Sequence, residues 1–573
     1  MLYSIGLFTA VVAPALVFAV PLADAYGLLK VATALLGSII LWTSCSGVRL
    51  RPSGYRGRGI ELPLAALIGA FLWSWAASVD PIVGLLGVYG QPFYGAAALL
   101  PALVIFYAVH AKTRSQDHNG AFYCAAVICA AAGIVTASQL YGWTGSWERF
   151  GLIGVRAQGT FGSPPYAGAM IAPCLPPALW LAYRSPRWAP AAALGFLALF
   201  GAHSRGPILA AAVGLWAFAA ASGAVRPRLR HLGLLAAILA ALAAFYPGRI
   251  RADAGRLETW RIAARAGAEH PVAGWGPDAF VLANRALKSS ASLSVMGSSD
   301  LQASAHNLPL QAWATLGLPG LLALLWLIGA GLYWKWDDSQ WMAGWKDGGE
   351  RPAAAFGALV AYLIASMTNP VPTMALYLVA AVMGASNGWV GRYGYVKSRM
   401  IWTATGLALI LTTSAVGVQM LAETLHSFGN LAIQGRDINL GADLLRQANE
   451  FAPWDSNYAA GRCDLIHKLT EVFPKNRKEY ERRALIAAYG AVKWHQQDPG
   501  AHELMSSVEL RGAPIFGRGL ARDAMMSAKR AHELDPLNEF SVIRWGQAAI
   551  LVGDRREEKT AFARLKIISA MRK

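Results

Sequence analysis

Long apolar runs recur along the first 420 residues of this chain and constrain its fold more than any other feature. Each run has about 18–22 residues, close to the length that an α-helix needs to cross the hydrocarbon core of a bilayer. Only 15% of the 573 residues are charged, whereas an average soluble domain carries roughly 25%. The sequence therefore predicts an all-α, polytopic membrane helix bundle of about 12–13 transmembrane helices. The expected spans are residues 2–20, 27–45, 61–78, 93–110, 119–140, 165–183, 188–203, 207–224, 232–247, 308–333, 353–370, 372–391 and 401–420.

The charged residues predict how this bundle is oriented in the membrane. Lys and Arg number 51 against 33 Asp and Glu, and the basic residues fall mostly in alternate loops between the apolar runs. Such loops mark the cytoplasmic side of a membrane protein, which gives a cytoplasmic N-terminus. The same distribution argues against nucleic-acid binding. The basic loops contain Arg49, Arg51, Arg56, Arg58, Lys112, Arg114, Arg184, Arg187, Arg226, Arg228, Arg230, Lys335, Lys346, Arg351, Arg392, Lys397 and Arg399.

The composition changes along the chain and suggests two domains. Residues 1–420 form the membrane domain, which one polar loop at residues 248–307 interrupts, and residues 421–573 form an Ala-rich helical tail. The orientation above places both the loop and the tail outside the cytoplasm. The stretch AHELDPLNEF, Ala531 to Phe540, resembles the junction of two tetratricopeptide repeats, although the tail's prolines miss the roughly 34-residue period. We favour degenerate repeats over an irregular helical domain, and we expect the tail to be removable without loss of the membrane fold.

Residue patterns that bind metals or nucleotides are missing from the sequence. Four of the five cysteines lie in or beside apolar runs, so no disulfide framework or zinc site can be built from them. There is no paired-histidine motif and no Gly-rich phosphate loop. The pair Asp337–Asp338 falls on the predicted cytoplasmic side. We therefore expect no cofactor and no metal ion, and any phosphate group would be bound by arginines.

The long polar loop carries one clear helical pattern. Asp253 is a suitable N-cap for a helix from about Gly255 to His270, and Pro271 ends it because proline disfavours the α conformation in the preceding residue. A narrow apolar stripe, which we expect to lie against the membrane surface or the bundle, consists of Leu257, Trp260 and Ala264.

Three arginines on the same helix are candidates for binding a diphosphate. Arg256 lies in the first turn, and Arg261 and Arg265 share a face because they are four residues apart. A guanidinium group remains charged and binds phosphate oxygens through two hydrogen bonds. The alternative is a solvated basic face on which Glu258 pairs with Arg261.

Other polar residues stand at the expected outer ends of the spans. His306 precedes the span that begins near Leu308, and a histidine there either accepts a proton from a hydroxyl nucleophile or hydrogen-bonds a helix end. Arg205 lies in the short junction HSRGP between two spans, where it binds an anionic ligand or extends to lipid headgroups. Arg156 stands similarly before another span.

Four motifs occur in an order that resembles the O-antigen ligase and O-antigen polymerase superfamily of bacterial membrane glycosyltransferases. The motifs are RAQGTFGSPPYAG, HSRGP, GRLETWR with HPVAGWGPDAF, and AHNLPLQ with LGLPG. The stretch SVDPIVGLLGVYGQPFYG, Ser78 to Gly95, is more weakly similar to members that carry a tetratricopeptide tail. The resemblance covers roughly residues 60–390 and implies a GT-C-like fold.

The resemblance also implies roles for the candidate residues. His306 matches the family's histidine that activates the acceptor hydroxyl, Arg205 and Arg256 match arginines that hold the diphosphate of the carrier, and Arg156 is a lesser candidate for that task. The family is similar to metal-independent, inverting enzymes. Two positions depart from its pattern: Ser163-Pro164-Pro165 replaces an Asn-Pro-Asn ending, and Pro309 follows the AHN motif, where the first helical turn tolerates it.

The function implied is transfer of a glycan from an undecaprenyl diphosphate carrier to an acceptor hydroxyl in lipopolysaccharide biosynthesis. The leading hypothesis is an O-antigen ligase that acts on lipid A–core at the bacterial inner membrane, with the C-terminal domain in the periplasm. The alternatives are an O-antigen or exopolysaccharide polymerase and a protein O-oligosaccharyltransferase, whose acceptors are a glycan and a protein. A non-enzymatic alternative is a flippase for lipid-linked oligosaccharides. The tetratricopeptide-like tail is also a candidate binding surface for a protein partner.

Overall fold

The structure is a computed structural model, and every regular element in the residues that it describes is helical. The helices are numbered in chain order below, leaving out short 3₁₀ and π segments. The all-α prediction is confirmed. The described residues are 1–18, 22, 27–45, 60–88, 94–113, 119–141, 156–223, 250–296, 302–342, 350–369, 371–386 and 399–571.

The apolar helices overlap the expected spans, except that the span at 232–247 lies outside the described residues. The last apolar helix continues without a break past the expected boundary at 420 to Gln434. Three of the apolar helices are long and apolar enough to cross a membrane: Gly120–Tyr141, Leu308–Trp336 and Trp402–Gln434. The others are shorter apolar helices. The bounds are α1 Leu2–Leu7, α2 Ala13–Leu16, α3 Leu28–Ser44, α4 Glu61–Ala76, α5 Pro81–Leu86, α6 Ala96–Thr113, α7 Gly120–Tyr141, α8 Pro164–Ile171, α9 Leu175–Arg184, α10 Ala189–Gly201, α11 Arg205–Ala221, α12 Ile250–Glu269, α13 Phe280–Leu287, α14 Ser290–Met296, α15 Leu308–Met342, α16 Glu350–Ser366, α17 Thr373–Ala385 and α18 Arg399–Gln434.

Small residues bring the backbones of the bundle helices close together. A Cβ atom added at Gly214 of α11 would lie 2.5 Å from Cβ of Ala361 and 2.7 Å from the carbonyl oxygen of Gly357, both in α16. Between membrane helices, such close contact supplies the packing that the hydrophobic effect does not. The helix pair α11–α16 therefore forms a rigid support for whatever stands at its ends.

Helix α15 is broken near its start, and the break explains the motif LGLPG. Gly317 has φ 69° and ψ −171° inside the helix. Pro319 has no N–H, so the carbonyl of Thr315 lacks its helical donor. The N–H of Leu318 donates to Pro271 at 2.7 Å, which also releases the carbonyl of Ala314.

The motif HPVAGWG fills this gap with its own backbone. The N–H of Trp275 donates to Ala314 and that of Gly276 to Thr315, both at 3.0 Å. The hydroxyl of Ser74 in α4 donates to the same Thr315 carbonyl at 2.7 Å. Buried backbone groups need such partners, and these bonds fix the end of α12 to α15 and α4.

The tail consists of helices that pack in consecutive pairs. Its described bounds are α19 Ile438–Phe451, α20 Ser456–Val472, α21 Arg477–Trp494, α22 Pro499–Phe516, α23 Arg518–Leu534, α24 Glu539–Val552 and α25 Arg555–Met571. The side chains of Asp455, Asp498 and Asn538 cap α20, α22 and α24. Each pair thus takes about 40 residues, which is longer than a tetratricopeptide repeat of 34.

The tail is fastened to the long loop by ion pairs and apolar contacts. Arg285 Nη1 lies 2.7 Å from Asp498 Oδ1, and Lys288 Nζ lies 3.4 Å from Asp535 Oδ2. Leu293 of α14 is 3% exposed and belongs to the apolar core of the last tail helices. These contacts argue against the expectation that the tail is freely removable, because its loss would expose Leu293 and separate two buried or half-buried ion pairs.

Candidate active site

Helix α12 places the loop arginines, and it differs from the predicted helix in two respects. It begins at Ile250, so Asp253 lies inside it and is not its N-cap, whereas its end at Glu269 agrees with the predicted stop before Pro271. Leu257, in the predicted apolar stripe, is 47% exposed. The face that packs against the protein is instead formed by Ile262, Ala263 and Ala266, which are fully buried.

Arg256 binds the end of a distant membrane helix. Its Nη2 donates to Oδ1 of Asn369 at 3.3 Å, and Asn369, which follows α16, is 2% exposed. The amide nitrogen of Asn369 donates to the hydroxyl of Thr368 at 3.0 Å. The carboxamide is therefore held on both sides, and it holds one nitrogen of the guanidinium group in place.

The turn that carries Arg205 packs against the same asparagine. A Cβ atom added at Gly206 would lie 2.3 Å from Nδ2 of Asn369 and 2.6 Å from the hydroxyl oxygen of Thr368. A side chain there would have to displace the side chains of Asn369 and Thr368, which explains the glycine of the HSRGP motif. Arg205 itself is the first residue of α11 and is half-buried. In the part of the chain that the structure describes, no carboxylate forms an ion pair with it.

His306 lies just before α15, beside Arg256. Its ring nitrogen Nε2 is 2.9 Å from Oε1 of Gln302, and its backbone N–H donates to the hydroxyl of Ser304 at 3.2 Å. Burial, together with the positive charge of Arg256, lowers the pKa of His306 to about 4. The ring is therefore neutral near pH 7.

Asn307 joins the start of α15 to the end of α16. Its Oδ1 accepts from the N–H of Leu310 at 3.1 Å and so caps the helix, while its Nδ2 donates to the carbonyl of Met367 at 3.3 Å. A capping side chain satisfies one of the free N–H groups of a helix start. The same residue therefore holds His306 near Thr368 and Asn369.

Arg156 lies at the other side of the HSRGP turn. Its Nε donates to the carbonyl of Ala202 at 3.2 Å, and the N–H of Ala157 donates to Gly201 at 2.9 Å. Gln139 of α7 accepts from the N–H groups of Gln158 and Gly159 at 3.1 and 3.0 Å. These hydrogen bonds fix the start of the motif RAQGTFGSPPYAG against the end of α10.

Arg261 and Arg265 lie on the solvent side of α12. The side chain of Arg261 is 59% exposed, and its Nη1 is 3.1 Å from Oε2 of Glu258. Arg265 is also exposed. The ion pair that the solvated-face interpretation predicts is present, and neither arginine joins the contacts around Asn369.

The two departures from the family motifs are accommodated by helix starts. Pro164 and Pro165 are the first two residues of α8, where the missing N–H groups cost nothing. Gly159 and Gly162 before them have φ 59° and 69°. Pro309 is the second residue of α15, so the expected tolerance of proline in that turn agrees with the structure.

The site brings cationic groups and one neutral base to the same ends of several helices. Guanidinium groups at Arg205 and Arg256 suit an anion such as a diphosphate. A neutral imidazole beside them accepts a proton from a hydroxyl group. Among the residues that the structure describes, no three His, Cys, Asp or Glu side chains form a cluster able to hold a metal ion.

Several residues of this site are missed by the sequence interpretation. Asn369 and Thr368 carry no charge, and the loop they occupy draws attention only because it lacks Lys and Arg. Gln302 lies four residues before His306, a spacing that has no special meaning outside a helix. A polar carboxamide directly after an apolar span is the one signal that points to Asn369.

The described residues form an all-helical protein with helices long and apolar enough to cross a membrane, and Arg256, His306 and the turn of Arg205 lie together at the ends of several of its helices. Residues 190–325 match the family model described as O-antigen ligase. The matched region contains Arg205, Arg256 and His306, whereas Arg156 and Asn369 lie outside it. This match bears out the superfamily predicted from the motifs, and it does not extend to the tetratricopeptide-like tail. A comparison with curated proteins gives no match.

The family match supports a coarse assignment of activity. The family is glycosyltransferase-like and uses lipid-linked glycans and acceptors in general, which indicates a membrane transferase of the O-antigen ligase or polymerase type. The family match also indicates a connection with lipopolysaccharide.

Proposed function

We propose that this protein transfers a glycan from undecaprenyl diphosphate to a hydroxyl group of lipid A–core, on the periplasmic face of the bacterial inner membrane. The observation that carries the proposal is the meeting of three motifs around one residue: Asn369 binds Arg256 and packs against Gly206, and Arg256 lies beside His306. A cationic group and a titratable base brought together from sequence-distant motifs are the elements expected of a candidate active site.

The diphosphate of the donor would lie between the arginines. Arg256 uses Nη2 to contact Asn369, and we propose that its guanidinium group, held in this way, binds the phosphate oxygens. Arg205, which begins α11, would contact the same group from the bundle side. Arg156 is a lesser candidate because its Nε binds the carbonyl of Ala202. Arg261 and Arg265, exposed on α12, take no part in this proposal.

The proposed reaction is a single displacement at the anomeric carbon. His306 takes the proton of the acceptor hydroxyl, the oxygen bonds to the anomeric carbon, and the bond from that carbon to the diphosphate oxygen breaks. The electron pair leaves with undecaprenyl diphosphate, whose growing charge the arginines stabilise. Attack opposite the leaving group inverts the anomeric configuration. The imidazolium then releases its proton to water, and the reaction needs no metal ion.

The low pKa of His306 fits this sequence of events. Without substrate, the positive charge of Arg256 adds to burial in disfavouring the imidazolium. A bound diphosphate would neutralise that charge, so the pKa of His306 would rise when the donor is present. We infer that the residue is a stronger base in the donor complex than in the free protein.

The proposed organisation places residues 1–420 in the membrane and the tail, 421–573, in the periplasm, with a cytoplasmic N-terminus. The positive-inside distribution of Lys and Arg supports this orientation. We propose that the tail is a degenerate relative of tetratricopeptide repeats, which its stacked helix pairs support. Asp498 and Asp535 of the tail reach the loop helix pair α13–α14, so the tail would border the path of the acceptor.

The experiment is expression in a bacterium that lacks its own ligase, with a labelled carrier-linked glycan. Label on lipid A–core supports the ligase. Label on longer carrier-linked chains supports a polymerase, and label on protein supports an O-oligosaccharyltransferase. A flippase would change the side of the membrane on which the carrier-linked glycan lies without creating a new glycosidic bond. The variant His306→Ala should remain in the membrane and yield no transfer product.

A further inference from the structure

The contact between His306 and Gln302 determines which ring nitrogen is free. The Oε1 atom of Gln302 lies 2.9 Å from Nε2 of His306. A carboxamide oxygen has no hydrogen to donate, so it accepts. The hydrogen must therefore be on Nε2. Because a neutral imidazole carries only one N–H group, the lone pair of His306 lies on Nδ1.

The imidazole ring of His306 is neutral in this site near pH 7. The charged group that faces His306 is Arg256, and its positive charge acts with burial against the imidazolium. Gln302 adds no charge. Among the described residues, the hydroxyl of Tyr94 bonds to Ser304, and the hydroxyl of Ser304 accepts from the backbone N–H of His306.

The backbone of His306 is held in a conformation that suits this contact. His306 has φ 56°, in the left-handed region that few residues other than glycine adopt. The hydrogen bond from the backbone N–H of His306 to the hydroxyl of Ser304 stabilises this turn. With this turn, the imidazole of His306 contacts Gln302, which lies only four residues before it in the chain.

We propose that Gln302 is a positioning residue that fixes His306 as the Nε2–H tautomer, so that Nδ1 receives the proton of the acceptor hydroxyl. This inference rests on the proposed function. The proton passes from the hydroxyl oxygen to Nδ1 as that oxygen bonds to the anomeric carbon, and the imidazolium then carries N–H groups on both nitrogens. The second N–H remains bonded to Gln302, which therefore stabilises the product of proton transfer.

The test compares Gln302→Glu and Gln302→Ala by their pH–rate profiles in membranes with carrier-linked glycan and lipid A–core. Glutamate accepts the same Nε2–H and adds a negative charge that favours the imidazolium. We expect it to retain activity at pH 8 and to move the acidic limb of kcat up by about one pH unit. Alanine leaves the ring free to change tautomer, and we expect kcat to fall about tenfold with KM unchanged.

The control is Gln434→Glu, which adds the same charge at an exposed position at the end of α18 and should leave the profile unchanged. Loss of activity in Gln302→Glu with full activity in Gln302→Ala would contradict the inference, because it would mean that Nε2 is the base. Unchanged profiles in both variants would contradict it as well. If His306→Ala is itself fully active, the proposed base fails, which is a separate result from either outcome at Gln302.

Discussion

His495 of the tail donates hydrogen bonds from both ring nitrogens, and one of them goes to Asp80 of the membrane domain. Its Nδ1 lies 2.5 Å from Oδ2 of Asp80, and its Nε2 contacts the carbonyl oxygen of Trp454. Because both partners are acceptors, both nitrogens carry hydrogen and the ring is an imidazolium. The other oxygen of Asp80 accepts from the N–H groups of Ile82 and Val83. The stretch SVDP, which resembles tail-bearing members of the family, is therefore a direct contact of the tail.

This pair predicts a loss of stability at alkaline pH. Burial lowers the pKa of His495, but the hydrogen bond and charge of Asp80, with the Trp454 carbonyl, outweigh it and raise the pKa to about 9. Because the folded-state pKa of His495 exceeds its unfolded value of about 6.5, the pair stabilises the fold fully below about pH 6.5. The contribution should be lost as the pH rises from about 6.5 through 9. Thermal unfolding of the purified protein in detergent, measured between pH 6 and 10, should show this decline in Tm.

The variant His495→Gln should remove most of the pH dependence in that range and lower the Tm at pH 6. The matched control is His467→Gln, because His467 has an exposed side chain 3.7 Å from Glu471. It should leave the curve unchanged. A wild-type Tm that is flat between pH 6.5 and 9 would mean that the imidazolium does not hold the tail.

Two arginines on α12 should differ in their effect on transfer. Arg256→Lys should reduce kcat/KM by at least about tenfold, because an ammonium group cannot bond to Asn369 and bind a diphosphate through a planar fork at once. Arg261→Lys, on the exposed face of the same helix, should keep wild-type activity. Transfer rates in isolated membranes, normalised to the amount of protein, check both. Equal transfer rates for the two variants would show that Arg256 does not bind the diphosphate.

Gly206 should tolerate no side chain. The Cβ of Gly206→Ala would displace Asn369, whose Nδ2 would lie 2.3 Å away, and so break its bond to Arg256. A lost hydrogen bond to a charged group costs about 1.5–3 kcal/mol, or roughly 10- to 150-fold in kcat/KM. The control is Gly69→Ala in α4, where nothing lies within 4 Å of the new atom. If Gly206→Ala transfers glycan at the wild-type rate, Asn369 does not position Arg256.

Gly276 should be needed for stability. It has φ 111°, and an added Cβ would lie 1.9 Å from the hydroxyl oxygen of Ser78. Gly276→Ala should therefore lose at least about 1–3 kcal/mol from backbone strain and separate the HPVAGWG segment from α15. We expect a lower Tm in detergent, whereas Gly329→Ala, with nothing within 4 Å of its new atom, should match the wild type. An unchanged Tm in Gly276→Ala would show that the backbone there adapts freely.

The helices were predictable because bilayer thickness imposes a length on each apolar run. The end of α12 at Glu269 follows from Pro271 beside it, and the start of α15 at Leu308 follows from the apolar run that begins there. The packed face of α12 was not predictable from apolarity, since its buried residues include Glu258, which is 3% exposed. That carboxylate is satisfied by the hydroxyl of Ser289, 2.5 Å from its Oε1. A partner 31 positions away cannot be found from helical periodicity.

The site was predictable only where a motif marked it. Arg256 and His306 stand in motifs that resemble a family, but the residue that joins Arg256 to Gly206 is Asn369, 113 positions beyond Arg256. Tertiary packing of α11 against α16 brings it there, and no local pattern encodes that contact. The break in α15 was equally hidden, because Gly317 and Pro319 are acceptable in many membrane helices. Only the backbone hydrogen bonds explain them, from Leu318 to the carbonyl of Pro271 and from Trp275 and Gly276 to the freed carbonyls of α15.

The most direct test of the account is transfer by the purified protein in proteoliposomes that contain carrier-linked glycan and lipid A–core. Wild-type protein should form glycan-bearing lipid A–core and release undecaprenyl diphosphate in equal amounts, with chelator present or absent. The variant His306→Ala, checked for the same Tm, should form neither. Equal product from His306→Ala and wild type, or carrier movement without a new glycosidic bond, would contradict the account.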